Sequence, residues 1–349
     1  LRHTRGLHNN PTMIIRFIAI MLGAVLMAAP GIFCTAQPSC KLKPSKTILL
    51  YPEGQNSEKG LEEARGPKAS NGFSKPEHTD PSCGNISYIA DDARIDLYFP
   101  KKPNGQMVVV CPGGGYWIVS SWNEGVYTAD WLLSQGITVC VVKYRLPNSR
   151  HEIPLTDVQN AFRYCRSHAA EWGINQIGVM GFSAGGHLAA SASNLFTDDI
   201  TRPDFSVLIY PVISLDKSIT HKGTRENLIG SDRFWGDRDK KVDEFMQAQE
   251  RHAELIEHYS LENRVSADTP QTFIVHCTDD TTVPVENSIR YYRSLVEKSV
   301  PAEMHIFPYG GHGFGFSSER FVGKGNDRFA GLRPEFESSL GRWLKSIRK

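Results

Sequence analysis

The stretch VMGFSAGGHLAAS, residues 179–191, places Ser183 between two glycines where an apolar run meets a run of small residues. The apolar run is typical of a buried strand, and the small residues that follow are typical of a helix. A tight turn that needs glycine at positive φ would account for the glycines alone. A nucleophile held on a strained corner between strand and helix accounts for the serine as well.

Similar apolar runs recur along the chain and predict further strands. They cover residues 94–100, 107–112, 137–144, 177–182, 205–210, 272–277 and 303–308. Helical periodicity lies between them, at residues 124–133, 156–169, 184–196, 285–298 and 334–347. This alternation predicts an α/β fold with a mostly parallel central sheet flanked by helices. The polar residues 216–268 are longer than a normal connection, which predicts a loop or small lid inserted in that fold.

The N-terminal residues predict export. Residues 13–36 begin with Met13, carry Arg16 as a positive flank, continue as an apolar run and end in small residues. This is the pattern of a signal peptide, with cleavage expected after Ala36 and residues 1–12 lying upstream of the true start. A membrane anchor is the alternative, but glycine and proline interrupt the run. We therefore expect a periplasmic or secreted protein with no stable membrane anchor.

The remaining chain divides in two by composition. Residues 37–92 are rich in Pro, Gly, Ser, Lys and Glu, which predicts an extended lead-in with no role assigned to residues 58–81. Residues 93–349 carry the predicted strands and helices and form the expected catalytic domain. Lys and Arg number 39 against 38 Asp and Glu, so the overall charge favours neither nucleic acid nor an anionic membrane as a partner.

The cysteine spacing gives no sign of a metal or redox motif. Seven cysteines are present and none forms a CxxC pair, so a zinc or thioredoxin-like site has no support. Cys40 and Cys83 lie in polar segments, where an oxidising compartment permits a disulfide. Four others lie in apolar strands or on a helix and are expected to act as small buried hydrophobes: Cys111, Cys140, Cys165 and Cys277.

A serine nucleophile needs a base and an acid, in the chain order Ser, Asp, His for this kind of corner. HCTDDTTVP, residues 276–284, follows a predicted strand and offers Asp279 and Asp280. GGHGFG, residues 310–315, follows the last strand and offers His312 on a loop whose glycines favour an exposed, mobile ring. Strand ends are where such residues belong. Three other histidines are expected to be packed side chains: His187, His276 and His305.

A glycine-rich loop, CPGGGYW at residues 111–117, follows the first fully apolar strand. It matches an HGGG-type oxyanion loop with proline in place of histidine, and a phosphate loop is disfavoured because no Gly-Lys-Ser/Thr follows. We expect the amides of Gly114 and Gly115, with that of Ala184 at the helix N-terminus, to form the oxyanion hole. Three aromatic residues follow and would either stack on a sugar ring or pack in the core and at the rim: Tyr116, Trp117 and Trp122.

From residue 94 onward these motifs, with VVKYRLP, DDTTVP and HGFG, resemble the α/β-hydrolase superfamily. The nearer likeness is to the bacterial acetyl xylan esterase or feruloyl/acetyl esterase-like branch. In that branch the acid precedes x-x-Val-Pro, so the resemblance implies Asp280 rather than Asp279. It implies a catalytic triad of Ser183, Asp280 and His312, with no metal and no organic cofactor.

The resemblance and the export signal together imply an exported serine carboxylesterase that deacetylates plant-wall polysaccharide through an acyl-enzyme. Its substrate would be an acylated carbohydrate or another small ester, with no nucleic acid involved. A peptidase or an arylformamidase would use the same triad and is the alternative. A non-catalytic binding module on the same fold is a third hypothesis, disfavoured because such modules lose the serine or the histidine, and both are present here.

Overall fold

The computed structural model describes residues 42–51, 93–236, 242–316, 325 and 327–349. The predicted signal peptide, residues 58–81 and the Cys40–Cys83 pair lie outside the described residues. In the described part, no helix is both long and apolar enough to cross a membrane.

A single sheet organises the described residues, and its eight strands lie in the order β1-β2-β4-β3-β5-β6-β7-β8. Strands β3 to β8 run parallel, whereas β1 and β2 pair antiparallel at one side. The strands are β1 (Lys46–Leu49), β2 (Arg94–Tyr98), β3 (Gln106–Cys111), β4 (Thr138–Lys143), β5 (Gln176–Phe182), β6 (Ser206–Ile209), β7 (Thr272–Cys277) and β8 (Ala302–Phe307). This arrangement confirms the predicted α/β class with a mostly parallel sheet.

Helices connect the parallel strands and cover the sheet. They are α1 (Tyr127–Ser134), α2 (Glu152–His168), α3 (Ser183–Asn194), α4 (Lys222–Ile229), α5 (Asp232–Trp235), α6 (Val242–Tyr259), α7 (Glu286–Glu297) and α8 (Arg333–Ser346). A π-helical turn (Ser121–Val126) leads into α1, and a 3₁₀ turn (Leu261–Asn263) follows α6. The described residues of this insertion, 216–236 and 242–268, are therefore largely helical, where the sequence predicts a loop or small lid.

The core lies on both faces of the sheet. Along β3, Met107 and Val109 pack into one apolar cluster, while Val108 and Val110 pack into the other. All four side chains are fully buried, as expected for a strand covered by helices on both sides. The four cysteines of the described residues are free thiols buried in this core, which confirms their expected role as small hydrophobes.

The sheet begins before residue 93, where the sequence predicts the domain to start. Strand β1 pairs with β2, and the Tyr51 hydroxyl just beyond it donates to Asp157 Oδ1 at 2.8 Å. The Tyr51 ring also lies 4.5 Å from the Arg145 guanidinium, which is itself buried against Asp157. Part of the predicted lead-in is thus bound to the domain through a strand and a buried ion pair.

Candidate active site

Ser183 lies at a sharp corner between β5 and α3. Phe182 is extended at φ −123°, whereas Ser183 has φ +53°, in the left-handed region that a non-glycine residue occupies at a cost of about 1–3 kcal/mol. A Cβ added at Gly181 would lie 2.1 Å from the Gly185 carbonyl oxygen, so the turn can close only with glycine there. The backbone has the strained corner that the sequence predicts, and the serine side chain projects from it.

The structure brings three distant side chains together at the carboxyl edge of the sheet. His312 Nε2 lies 2.8 Å from Ser183 Oγ, and His312 Nδ1 lies 2.7 Å from Asp280 Oδ2. The carboxylate accepts the Nδ1 proton, so Nε2 of the neutral ring is free to accept the proton of the serine hydroxyl. This is the arrangement of nucleophile, base and orienting acid that acyl transfer requires.

Asp280 is buried and receives four hydrogen bonds. Its Oδ1 accepts from the amides of Thr282 and Val283, each at 2.9 Å. Its Oδ2 accepts from His312 and, at 3.2 Å, from His276 Nε2. Burial by itself would raise the pKa of Asp280, but the two imidazole donors, the charge on His312 and the Val283 amide outweigh it and hold the pKa well below its ordinary value. The acid is therefore ionised at neutral pH.

The adjacent carboxylate has a different role. Asp279 Oδ1 accepts from the Gly311 amide at 2.7 Å, and its Oδ2 pairs with Arg328. Asp279 thus fixes the loop that carries His312 without contacting the ring. Of the two candidates in the sequence, the geometry agrees with the resemblance in selecting Asp280.

The His312 ring is held in place more firmly than its glycine-rich loop suggests. Its side chain is 19% exposed, and its centroid lies 4.8 Å from the centroid of the Tyr210 ring. The ring is therefore partly buried rather than exposed, and it contacts Tyr210 and makes two hydrogen bonds. Only small movements are needed for proton transfer from the serine.

The glycine-rich loop after β3 is held mainly through its carbonyl groups. The Gly114 oxygen accepts from the Ile118 amide at 3.1 Å, and the Gly115 oxygen accepts from Asn227 Nδ2 on α4 at 2.8 Å. Among the described residues, no hydrogen bond uses the amide of Gly114 or Gly115. The first turn of α3 likewise leaves the Ala184 amide without an intrahelical acceptor. Ala184 directly follows Ser183, and the two glycines follow Gly113, where an added Cβ would lie 2.9 Å from the Ser183 Cβ.

The three aromatic residues near this loop differ in exposure. Tyr116 is only 2% exposed and its hydroxyl lies 3.0 Å from His187 Nδ1, so the expectation that it stacks on a sugar is wrong. Trp122 is half-buried and packs edge-on against Tyr127. Trp117 is 42% exposed and is the aromatic side chain of the three that a substrate can reach most readily.

His187 is a packed residue, as predicted. It is fully buried, its Nε2 donates to the Tyr259 carbonyl at 2.9 Å, and burial lowers the pKa of its ring to about 4. His276 is also fully buried, as predicted, but its bond to Asp280 was not foreseen. Its Nδ1 accepts from the Ser288 hydroxyl at 2.8 Å, so Nε2 carries the proton and shares it between the Val283 carbonyl at 2.9 Å and Asp280 Oδ2 at 3.2 Å. The sequence feature that could have indicated this bond is a histidine at the end of a strand, four residues before the acid.

Metal coordination has no candidate among the described residues, where no group of three or more His, Cys, Asp or Glu side chains could hold an ion. The groups around Ser183, a hydroxyl, an imidazole, a carboxylate and backbone amides, are of the kinds that nucleophilic catalysis uses.

Comparisons with known proteins place this geometry in context. A sequence profile of the BD-FAE family matches residues 95–295. An acetylxylan esterase of Xylanibacter ruminicola is 37% identical over 265 residues, covering 74% of this chain and 50% of that protein. Endo-1,4-beta-xylanase B of Butyrivibrio fibrisolvens is 32% identical, over 61% of this chain and 33% of that protein. The chain thus spans half or less of the length of these curated relatives.

A solved structure shows the same fold over nearly its whole length. The acetyl ester-xyloside bifunctional hydrolase of Caldicellulosiruptor lactoaceticus superposes with a TM-score of 0.62 at 29% identity. The match covers 88% of this chain and 98% of that one. Together with the strand order, this likeness confirms the predicted α/β-hydrolase fold.

Proposed function

The chain belongs to the BD-FAE family, and from that premise we propose that it is a serine carboxylesterase that removes acetyl groups from plant-wall polysaccharide. The observation that carries the proposal is the 2.8 Å contact between Ser183 Oγ and His312 Nε2, on a ring oriented by Asp280. A serine hydroxyl paired with an oriented imidazole that can accept its proton is an activated nucleophile for acyl groups.

In the first half-reaction, Ser183 Oγ forms a bond to the ester carbonyl carbon while its proton passes to His312 Nε2. Asp280 stabilises the imidazolium that results, and it remains ionised throughout. The tetrahedral intermediate collapses when the carbon–alkoxide bond breaks, and the leaving oxygen takes the proton from His312. The products are the free sugar hydroxyl and an acetyl-serine.

In the second half-reaction, water replaces the alcohol and acetate leaves. His312 takes a proton from the water and returns it to Ser183 Oγ as the acyl bond breaks. We assign the negative oxygen of each tetrahedral intermediate to the amides of Gly114, Gly115 and Ala184, which lack other acceptors among the described residues. Ala184 follows the serine, and the two glycines follow Gly113, which is pressed against the Ser183 side chain. Removal of one such donor typically costs about 3–4 kcal/mol of transition-state stabilisation.

The substrate class rests on the relatives and on one exposed side chain. Two relatives are named for xylan chemistry, and the structural neighbour is named for acetyl ester and xyloside hydrolysis. Trp117 follows the oxyanion loop and offers an exposed ring on which a sugar can stack. The signal-like residues 13–36 support export to a compartment where such polymers occur.

The test compares wild type with Ser183→Ala on acetylated xylan, with released acetate as the readout. We expect acetate from wild type and none above background from the variant, with unchanged circular dichroism. A fluorophosphonate probe should label wild type at Ser183 and leave the variant unlabelled. Faster cleavage of an aminoacyl 4-nitroanilide or an N-formyl arylamine would favour a peptidase or arylformamidase, and retained activity in the variant would refute the triad.

A further inference from the structure

Glu124 is a buried carboxylate that the mechanism above does not use. It lies on the π-helical turn Ser121–Val126 and is 4% exposed. Its Oε2 accepts from the Gly113 amide at 2.7 Å, and its Oε1 accepts from the Tyr210 hydroxyl at 3.0 Å. Burying a carboxylate is costly unless its oxygens are fully satisfied, and π-helical turns occur frequently at functional sites. A glutamate here therefore calls for an explanation beyond packing.

The first oxygen of Glu124 holds the oxyanion loop. Gly113 immediately precedes Gly114 and Gly115, and a Cβ added to it would lie 2.9 Å from the Ser183 Cβ. The loop is thus pressed against the nucleophile, with no room for a side chain between them. The hydrogen bond to Glu124 Oε2 fixes the first amide of that loop.

The second oxygen of Glu124 holds the loop that carries the base. The Tyr210 hydroxyl donates to Glu124 and accepts from the Gly315 amide at 3.3 Å. The Tyr210 ring lies against His312, with 4.8 Å between centroids. One carboxylate therefore connects the segment that contains the oxyanion donors to the segment that contains the imidazole.

The contacts of Glu124 fit an ionised carboxylate. The Gly113 amide and the Tyr210 hydroxyl both donate to it, so its oxygens act only as acceptors. Protonation would leave one polar hydrogen without an acceptor among these groups. Burial outweighs the Gly113 amide, the charge on His312 and the hydroxyl groups of Tyr210 and Ser120, so the pKa of Glu124 is raised from its ordinary value.

The charged and titratable groups near these two sites are few in the described residues. Those facing Glu124 are His312, Tyr144 and Tyr210, with Arg333 acting on Tyr210. Those facing His312 are Asp280, Glu124, Tyr210 and His221. When it is ionised, Glu124 is a second negative charge, after Asp280, that acts on the imidazole.

We propose that Glu124 is a positioning residue that keeps the oxyanion loop and the histidine loop in register and favours the positive charge that forms on His312. The proposal rests on the esterase function above. Glu124 contacts neither substrate nor reacting atoms and acts only through Gly113 and Tyr210. Its charge and its hydrogen bonds can be separated experimentally, because Tyr210→Phe breaks the link to the histidine loop and leaves the charge in place.

The test measures kcat, KM and the pH profile of kcat/KM for 4-nitrophenyl acetate in wild type, Glu124→Gln and Tyr210→Phe. In Glu124→Gln we expect kcat to fall at least about tenfold while KM changes less than about twofold, because a small displacement of either loop misaligns the reacting groups. The acid limb should move to lower pH by about 0.5 unit, because a partly shielded negative charge no longer favours protonation of His312. In Tyr210→Phe, kcat should fall with the acid limb unmoved.

Several outcomes would overturn the proposal. A kcat equal to that of wild type in Glu124→Gln would overturn it. A lower kcat with an unmoved acid limb would also overturn it, because a residue that only packs would give this result. If Glu124→Gln does not fold by circular dichroism, wild-type kcat in Tyr210→Phe would refute the link between the loops. Fluorophosphonate labelling of Ser183 in wild type separates the two hypotheses: if labelling fails, the esterase function fails, whereas labelling with unaltered variants refutes only the role of Glu124.

Discussion

Two neighbouring aspartates in one turn provide a matched test of the site. Asp280→Asn replaces one acceptor oxygen with an NH2 group in a pocket where Asp280 receives only donors. If that NH2 faces the imidazoles, His312 must move its proton to Nε2 and can no longer accept the proton of Ser183. Loss of the correct tautomer costs about 10⁴ in kcat, which corresponds to about 5.4 kcal/mol.

The control is Asp279→Asn, which changes the same functional group one residue earlier. Asp279 contacts the Gly311 amide and the exposed Arg328, so its loss should loosen the loop and lower kcat by less than about tenfold. Hydrolysis of 4-nitrophenyl acetate at pH 7 and thermal unfolding are measured for both variants. Equal losses of kcat in the two variants would refute the assignment of Asp280 as the orienting acid.

Four further results follow from the same structure. The free energy of unfolding of Ser183→Gly should be about 1 kcal/mol higher than that of Ser183→Ala, because only alanine keeps the strain of the left-handed backbone. Equal free energies of unfolding in chemical denaturation would refute this strain. Asn227→Ala removes the bond from α4 to the Gly115 carbonyl and should lower kcat severalfold with about 1 kcal/mol of stability lost, measured by ester hydrolysis and urea unfolding. Trp117→Ala should raise KM for acetylated xylan and leave 4-nitrophenyl acetate unaffected; equal changes would argue against stacking. Folding lowers the pKa of Asp280, so its carboxylate stabilises the folded protein above the unfolded pKa of about 3.9, and this stabilisation is lost as pH falls through the folded pKa. The difference in unfolding free energy between wild type and Asp280→Asn should therefore shrink below about pH 4.

The parallel strands and their helices were predictable because burial on both faces leaves long apolar runs in the sequence. The runs at residues 107–112 and 177–182 correspond to β3 and β5 within one or two residues. Ser183 and His312 were predictable for a related reason. Each follows such an apolar run and lies among glycines, which indicates a special turn at the end of a strand. Strand β1 escaped detection because a short edge strand with exposed residues has no burial pattern.

Other features depend on contacts that only the folded chain creates. Glu124 lies in an ordinary helical pattern, and nothing local indicates that Gly113 and Tyr210 converge on it. Tyr116 follows an oxyanion loop as a surface aromatic would, yet its hydroxyl turns inward to His187. The polar composition of residues 216–268 suggests a loop, but amphipathic helices such as α6 satisfy the same composition by burying one face.

The four thiols in the core can serve as built-in reporters of opening. Cys111, Cys140, Cys165 and Cys277 have no exposed surface, and burial raises the pKa of Cys111 far above its usual range. A maleimide in solution can reach such a group only when the surrounding structure separates. Mass spectrometry of the peptides that carry these residues would therefore measure the rates of local opening of individual strands and of α2, without any engineered label.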